Sequence, residues 1–135
     1  MRRGDHLYGC PVIAFRPKTG EMVWHCQFSP NDPDDHAATE VGLLVDIKID
    51  GPPRQVLAQV NRNGFFSVLD RVNGKLLVRH PYVKANAADK IDLATGRPVE
   101  CDVTKRAHAG EGVEVWSSLL GGSLSGGSVW TFALP

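Results

Sequence analysis

Short apolar runs alternate with polar, glycine-containing turns along most of the chain. In the first example, an apolar run at residues 12–15 is followed by a turn at residues 17–20 and by a second run at residues 22–28. A glycine in such a turn supplies the positive φ that a tight reversal needs, and short runs favour strands over long helices. The pattern therefore predicts a β-hairpin in this part of the chain.

The same pattern returns in the middle of the sequence. Runs at residues 55–60, 65–70 and 74–78 predict three further strands, separated by polar turns that also contain glycine. Gly20 and Gly74 stand 54 positions apart in equivalent turns, a spacing typical of propeller blades. The sequence thus predicts an all-β fold of antiparallel four-stranded blades. A weaker copy at residues 91–98 is interpreted as a hairpin inserted between blades.

The composition limits the kinds of molecule that we expect this chain to bind. Fifteen Lys and Arg balance fifteen Asp and Glu, so the net charge gives no attraction to nucleic acid or to an acidic membrane surface. No apolar run approaches the roughly 18 residues of a membrane span, and no apolar segment follows the basic residues near the start. We expect neither a transmembrane segment nor a signal peptide in this chain, and a small molecule or a protein as partner.

The three cysteines form no recognisable motif. Cys10, Cys26 and Cys101 are far apart and include no CxxC pair, which argues against a zinc knuckle or a redox dithiol. One disulfide with one remaining thiol stays open as an alternative.

An acidic segment lies between the first two groups of predicted strands. Asp32, Asp34 and Asp35 fall within four positions and are interrupted by Pro33. Their oxygen atoms suit a hard cation such as Ca²⁺, although the spacing is not that of the twelve-residue helix–loop–helix calcium loop. The alternative is a solvated acidic loop held by Asx turns.

Arg62 occupies the turn at residues 61–64, whose sequence is Asn-Arg-Asn-Gly. A guanidinium presents a planar fork of donors and can hold an anion beside such a turn. The alternative is a structural ion pair with a carboxylate in a neighbouring loop. Trp24, on the strand after the first turn, is interpreted as a packing residue between blades.

Several motifs occur in a characteristic order over about residues 3 to 122. The motifs are Trp24-His25-x-Gln27-Phe28-Ser29-Pro30-Asn31-Asp32, Asn61-Arg62-Asn63-Gly64-Phe65-Phe66, Ile91-Asp92-Leu93-x-Thr95-Gly96-Arg97-Pro98 and Val113-Glu114-Val115-Trp116. Their order resembles that of the pyrroloquinoline quinone (PQQ) dependent alcohol and methanol dehydrogenases. The Gly- and Ser-rich residues 123–135 have no counterpart and remain unassigned.

The resemblance implies an eight-bladed β-propeller that binds PQQ beside a Ca²⁺ or lanthanide ion. It implies oxidation of primary alcohols to aldehydes, with electrons passed to a cytochrome c in the periplasm. Asp35 corresponds to the family's catalytic aspartate beside the metal, and Arg62 to its PQQ-binding arginine. These roles suit the chemistry, since a carboxylate must take the hydroxyl proton as hydride leaves the carbon.

The family's other metal ligands and its paired cysteines have no counterpart in this sequence. We therefore expect residues 1–122 to form about two blades of a propeller, with an inserted hairpin near residues 84–115, and to be inactive alone. Asp34 precedes Asp35 and His36-Ala37 follows it, so the tryptophan of the family's Trp-Asp arrangement is lost. Ala87 also stands where the family often has a tryptophan, and Leu124 replaces an asparagine. These departures favour an alternative, a non-catalytic propeller-repeat scaffold. The enzyme hypothesis requires Asp35 and Arg62 to lie on the same side of the sheets.

Overall fold

The computed structural model describes residues 4–32, 36, 38, 40–48 and 51–117. In these residues the strands pair into three antiparallel sheets, with strand orders β1-β2, β3-β4-β5-β6 and β7-β8. The elements are β1 Pro11–Phe15, β2 Met22–Gln27, β3 Leu43–Lys48, β4 Pro53–Val60, β5 Phe65–Asp70, β6 Leu76–Pro81, β7 Lys90–Asp92, β8 Arg97–Val99 and helix α1 Asp102–His108.

The β3–β6 sheet is a four-stranded meander of consecutive strands, the unit expected of a propeller blade. The predicted all-β class is confirmed, and β1, β2, β4, β5 and β6 match the predicted apolar runs. A short hairpin, β7-β8, occurs where the weaker copy of the pattern was found. The sequence pattern did not predict β3 or the short helix α1.

The β1-β2 hairpin packs on one face of the four-stranded sheet. Cys26 and Phe28, at the end of β2, form a buried cluster with Leu57, Leu69 and Leu76 of the larger sheet. Burial of apolar side chains on both sides of this contact is the main force that holds the two sheets together.

Trp24 spans the junction between these two sheets. Its indole Nε1 donates a hydrogen bond of 3.0 Å to the carbonyl oxygen of Arg71, in the turn between β5 and β6. The ring also packs against the buried cluster. Trp24 is therefore a packing residue between neighbouring sheets, as predicted.

None of the three cysteines, Cys10, Cys26 and Cys101, forms a disulfide, which closes that alternative. In the described part of the chain, no helix has the length and apolar character that a bilayer span requires.

Candidate functional site

Two connections meet at one end of the four-stranded sheet. The segment between β2 and β3 enters the sheet beside the end of β4, because Leu43 pairs with Ala58. The turn from β4 to β5, which carries Arg62, lies at that same end. The sheet topology therefore brings the Arg62 turn and the described residues that lead into β3 to the same end of the sheet. Asp35 itself lies outside the described residues, so its position stays a prediction.

The Arg62 turn is tight and closed by its own hydrogen bonds. The amide of Gly64 donates to the carbonyl of Asn61 at 2.9 Å, and the amide of Asn61 donates to the carbonyl of Phe65 at 3.0 Å. Gly64 takes φ +86°, which an L-residue rarely adopts. Arg62 is the one residue of this turn that is not buried, so the fold presents its side chain at the tip.

Asn63 ties this turn to the start of the acidic segment. Its side-chain Nδ2 donates to Ser29 Oγ at 3.0 Å and to the Phe28 carbonyl at 3.3 Å. Its Oδ1 accepts the amide of Phe65 at 3.2 Å. Both the Nδ2 donor and the Oδ1 acceptor of the buried Asn63 side chain are therefore hydrogen-bonded. These bonds fix the turn relative to the segment that follows β2.

The acidic segment is closed by one of its own carboxylates. Asp32 Oδ2 accepts the backbone amide of His36 at 2.6 Å. Asp35 belongs to the stretch of chain between these two residues. The His36 ring is buried, with only 3% of the residue exposed, and its Nδ1 lies 3.9 Å from Asp32 Oδ1.

Ser117 contacts both parts of the candidate site. Its carbonyl oxygen lies 3.2 Å from Nε2 of His36, and its hydroxyl donates to the carbonyl of Arg62. Because a carbonyl only accepts, the proton of this hydrogen bond must sit on Nε2. Sequence reasoning missed Ser117, since both contacts join residues far apart in the chain and leave no local pattern.

Arg79 supplies a buried positive charge beneath these connections. Only 6% of the residue is exposed, and its Nη2 donates to the Phe28 carbonyl at 2.6 Å. Its guanidinium carbon lies 5.8 Å from the centre of the Phe28 ring and 5.2 Å from that of Phe65. Burial lowers the pKa of Arg79 to about 10, so the group remains charged at neutral pH. Nothing in its local sequence marked Arg79 as part of the site.

The described residues fit an anionic cofactor better than a metal ion. Arg62 is a partly exposed residue, and a guanidinium group suits carboxylate or quinone oxygens. By contrast, no three His, Cys, Asp or Glu side chains gather into a metal-binding group within the described ranges. Asp32, the nearest described carboxylate to Asp35 in sequence, already accepts the His36 amide. A metal site would require Asp35 together with ligands beyond the described residues.

Comparison with known proteins identifies related chains. Residues 1–96 match the family described as the PQQ glucose/ethanol/alcohol dehydrogenase β-propeller domain. The chain is 46% identical over 118 residues to quinohemoprotein alcohol dehydrogenase ADH IIB of Pseudomonas putida, covering 87% of this chain and 17% of that protein. It is 43% identical over 97 residues to 1-butanol dehydrogenase (cytochrome c) of Thauera butanivorans, covering 72% of this chain and 14% of that protein.

A solved structure shows the same fold. The structure of a europium-containing methanol dehydrogenase superposes with a TM-score of 0.79 at 31% identity, over 90% of this chain and 21% of that one. This chain therefore spans less than one quarter of the length of each of these relatives. The match to the propeller domain and the antiparallel four-stranded sheet confirm the predicted β-propeller. The chain belongs to the family of PQQ-dependent quinoprotein alcohol dehydrogenases.

Proposed function

We propose that this chain contributes part of the active site of a PQQ-dependent dehydrogenase that oxidises primary alcohols to aldehydes. The observation that carries the proposal is the contact of Ser117 with both His36 and Arg62. His36 directly follows Asp35 in the chain. The contact therefore joins the segment of the proposed base to the turn of the proposed cofactor-binding residue.

The two proposed residues perform complementary tasks. Asp35 accepts the hydroxyl proton of the alcohol as a general base. Arg62 would hold PQQ through charge-assisted hydrogen bonds to its anionic oxygens and would stabilise negative charge on them. When bound, PQQ supplies the acceptor for the hydride and its two electrons.

The proposal extends to a metal ion and an electron acceptor. A Ca²⁺ or lanthanide ion would be bound by Asp35 with ligands from outside this chain; the related methanol dehydrogenase is described as containing europium. A cytochrome c would accept the electrons, as the name of the Thauera butanivorans relative suggests for that protein. We further propose a periplasmic location for the full-length protein, and no activity for the isolated chain.

The test uses the full-length protein reconstituted with PQQ and either Ca²⁺ or a lanthanide. We expect a short primary alcohol to reduce a dye acceptor in a PQQ-dependent reaction. Asp35→Asn should abolish turnover while PQQ still binds, and Arg62→Ala should weaken PQQ binding. Asp46→Asn is the matched control for the carboxylate, because Asp46 lies on β3 and is exposed. A wild-type protein that binds no PQQ and reduces no dye would instead favour the non-catalytic scaffold.

A further inference from the structure

Ser117 is linked to the two halves of the proposed site through two different groups. The side-chain hydroxyl donates to the Arg62 carbonyl, whereas the backbone carbonyl faces Nε2 of His36. Only 5% of Ser117 is exposed, so water cannot easily replace either partner. A displacement of this one residue would change both contacts together.

The backbone around Ser117 is held independently of Arg62 and His36. The amide of Trp116 donates to Asn86 Oδ1 at 2.7 Å, and the amide of Asn86 donates back to the Trp116 carbonyl at 2.8 Å. Asn86 Nδ2 also donates to the Glu114 carbonyl at 2.9 Å. Three hydrogen bonds to Asn86 therefore place the residues that precede Ser117.

Ser117 also packs closely against the glycine of the Arg62 turn. A Cβ atom built on Gly64 would lie 3.5 Å from Ser117 Oγ and 3.1 Å from Ala85 Cβ. The absence of a side chain at Gly64 lets the turn approach this segment. The turn is thus held by two hydrogen bonds to other segments: Asn63 donates to Ser29, and Ser117 donates to the Arg62 carbonyl.

We propose that Ser117 is a positioning residue that fixes the backbone of Arg62, from which the guanidinium extends, relative to His36, the residue that follows Asp35 in the chain. This inference rests on the proposed function, because Ser117 acts through Arg62 and does not touch the reacting atoms. Displacements of about 1 Å in such supports lower reaction rates strongly, since reacting groups must be held close to their productive geometry.

The test compares Ser117→Ala with Ser117→Thr in the full-length protein. Ser117→Ala removes the donor to Arg62 but keeps the carbonyl that faces His36, and Ser117→Thr keeps the hydroxyl. The measurements are the dissociation constant of PQQ for the metal-loaded apoprotein, followed by fluorescence quenching, together with kcat, KM and Tm. The same pair is measured in an Arg62→Ala background, which retains the backbone carbonyl of residue 62 but lacks the guanidinium.

We expect Ser117→Ala to raise the PQQ dissociation constant and lower kcat, each about tenfold, with KM changed less than about twofold. Ser117→Thr keeps the hydroxyl, so its PQQ dissociation constant and kcat should both stay much closer to wild type than those of Ser117→Ala. In the Arg62→Ala background, Ser117→Ala should have no further effect on PQQ binding, because the group that it positions is gone.

Two results would overturn the inference. The first is a PQQ affinity and kcat of Ser117→Ala within twofold of wild type. The second is a loss of the same size in both backgrounds with a parallel fall in Tm, which would show a merely structural role. A wild-type protein without PQQ binding would overturn the proposed function itself, and so the two failures are distinguishable.

Discussion

The indole ring of Trp24 lies against Gly74, so closely that a Cβ atom placed on Gly74 would stand 2.7 Å from Cδ2 of the ring. Gly74 belongs to the turn between β5 and β6, and Trp24 belongs to β2 of the neighbouring sheet. Glycine is required at position 74 for two reasons. A Cβ atom would clash with the indole ring, and the backbone has φ +75°, which other residues rarely adopt. The contact fixes how the two sheets are aligned.

Gly74→Ala tests this alignment. We expect it to lower the free energy of unfolding of the full-length protein by about 2–4 kcal/mol, since the methyl group adds a steric clash to the backbone strain. Gly20→Ala is the matched control, because Gly20 has φ +70° but no atom within 4 Å of a built Cβ. Its cost should be about 1 kcal/mol. Urea denaturation measures both, and equal costs would contradict the role assigned to Trp24.

Asn63→Ala should be more harmful than Asn73→Ala. Both asparagines precede a glycine and accept the amide two residues later, Asn63 from Phe65 and Asn73 from Lys75. Only Asn63 is buried and also donates to Ser29. We expect a loss of about 2–3 kcal/mol for Asn63→Ala and of less than about 1 kcal/mol for Asn73→Ala, measured by urea denaturation. A similar loss for both would show that the cross-segment bonds contribute little.

The Cys26 thiol should make stability fall at alkaline pH. Burial raises its pKa above the ordinary value of 9.0, and the nearby Arg79 charge partly opposes this shift. Above about pH 9 the unfolded chain therefore loses this proton while the folded chain retains it, so the free energy of unfolding decreases as pH rises. Below that pH the contribution is fully present.

Cys26→Ala should make the decline over the alkaline range above about pH 9 shallower. The measurement is urea denaturation across this range, with the wild-type protein at each pH as the reference. Parallel curves for the two proteins, offset only by the packing cost of the smaller side chain, would contradict the prediction.

Arg79→Lys should be costly although it conserves charge. A lysine cannot present a planar fork to two carbonyl groups, whereas Arg79 donates to both Phe28 and Gly96. We expect a loss of about 2–3 kcal/mol. The control is Arg97→Lys, because Arg97 pairs with Asp5 at the surface and should cost less than about 1 kcal/mol. In thermal unfolding, Arg79→Lys should lower Tm more than Arg97→Lys does. A smaller fall in Tm for Arg79→Lys than for Arg97→Lys would refute the argument.

The sequence predicted the hairpins because their turns carry a strong local signal. Gly20 and Gly74 both take positive φ, which is the property inferred from the pattern. Strand β3 carries such a signal only in its second half, where Val45 and Ile47 are half-buried and alternate with exposed Asp46 and Lys48, whereas its first two residues are both leucines. Helix α1 was missed because it has no buried residue and no side-chain hydrogen bond at its N-cap.

The candidate site was predictable only in part, because some of its contacts join residues that are far apart in the chain. Arg62 was found through a short motif, and the structure places it at the tip of a turn. Ser117 meets Arg62 across 55 positions and His36 across 81 positions. Contacts over such separations depend on how whole sheets and connections pack, and no local periodicity records them.

The carbonyl of Phe28 accepts hydrogen bonds from Asn63, in the turn between β4 and β5, and from Arg79 on β6. The chain is therefore anchored directly after β2, at the start of the connection that leads to the acidic residues. Because every residue type carries a backbone carbonyl, this anchor does not depend on which side chain stands at position 28.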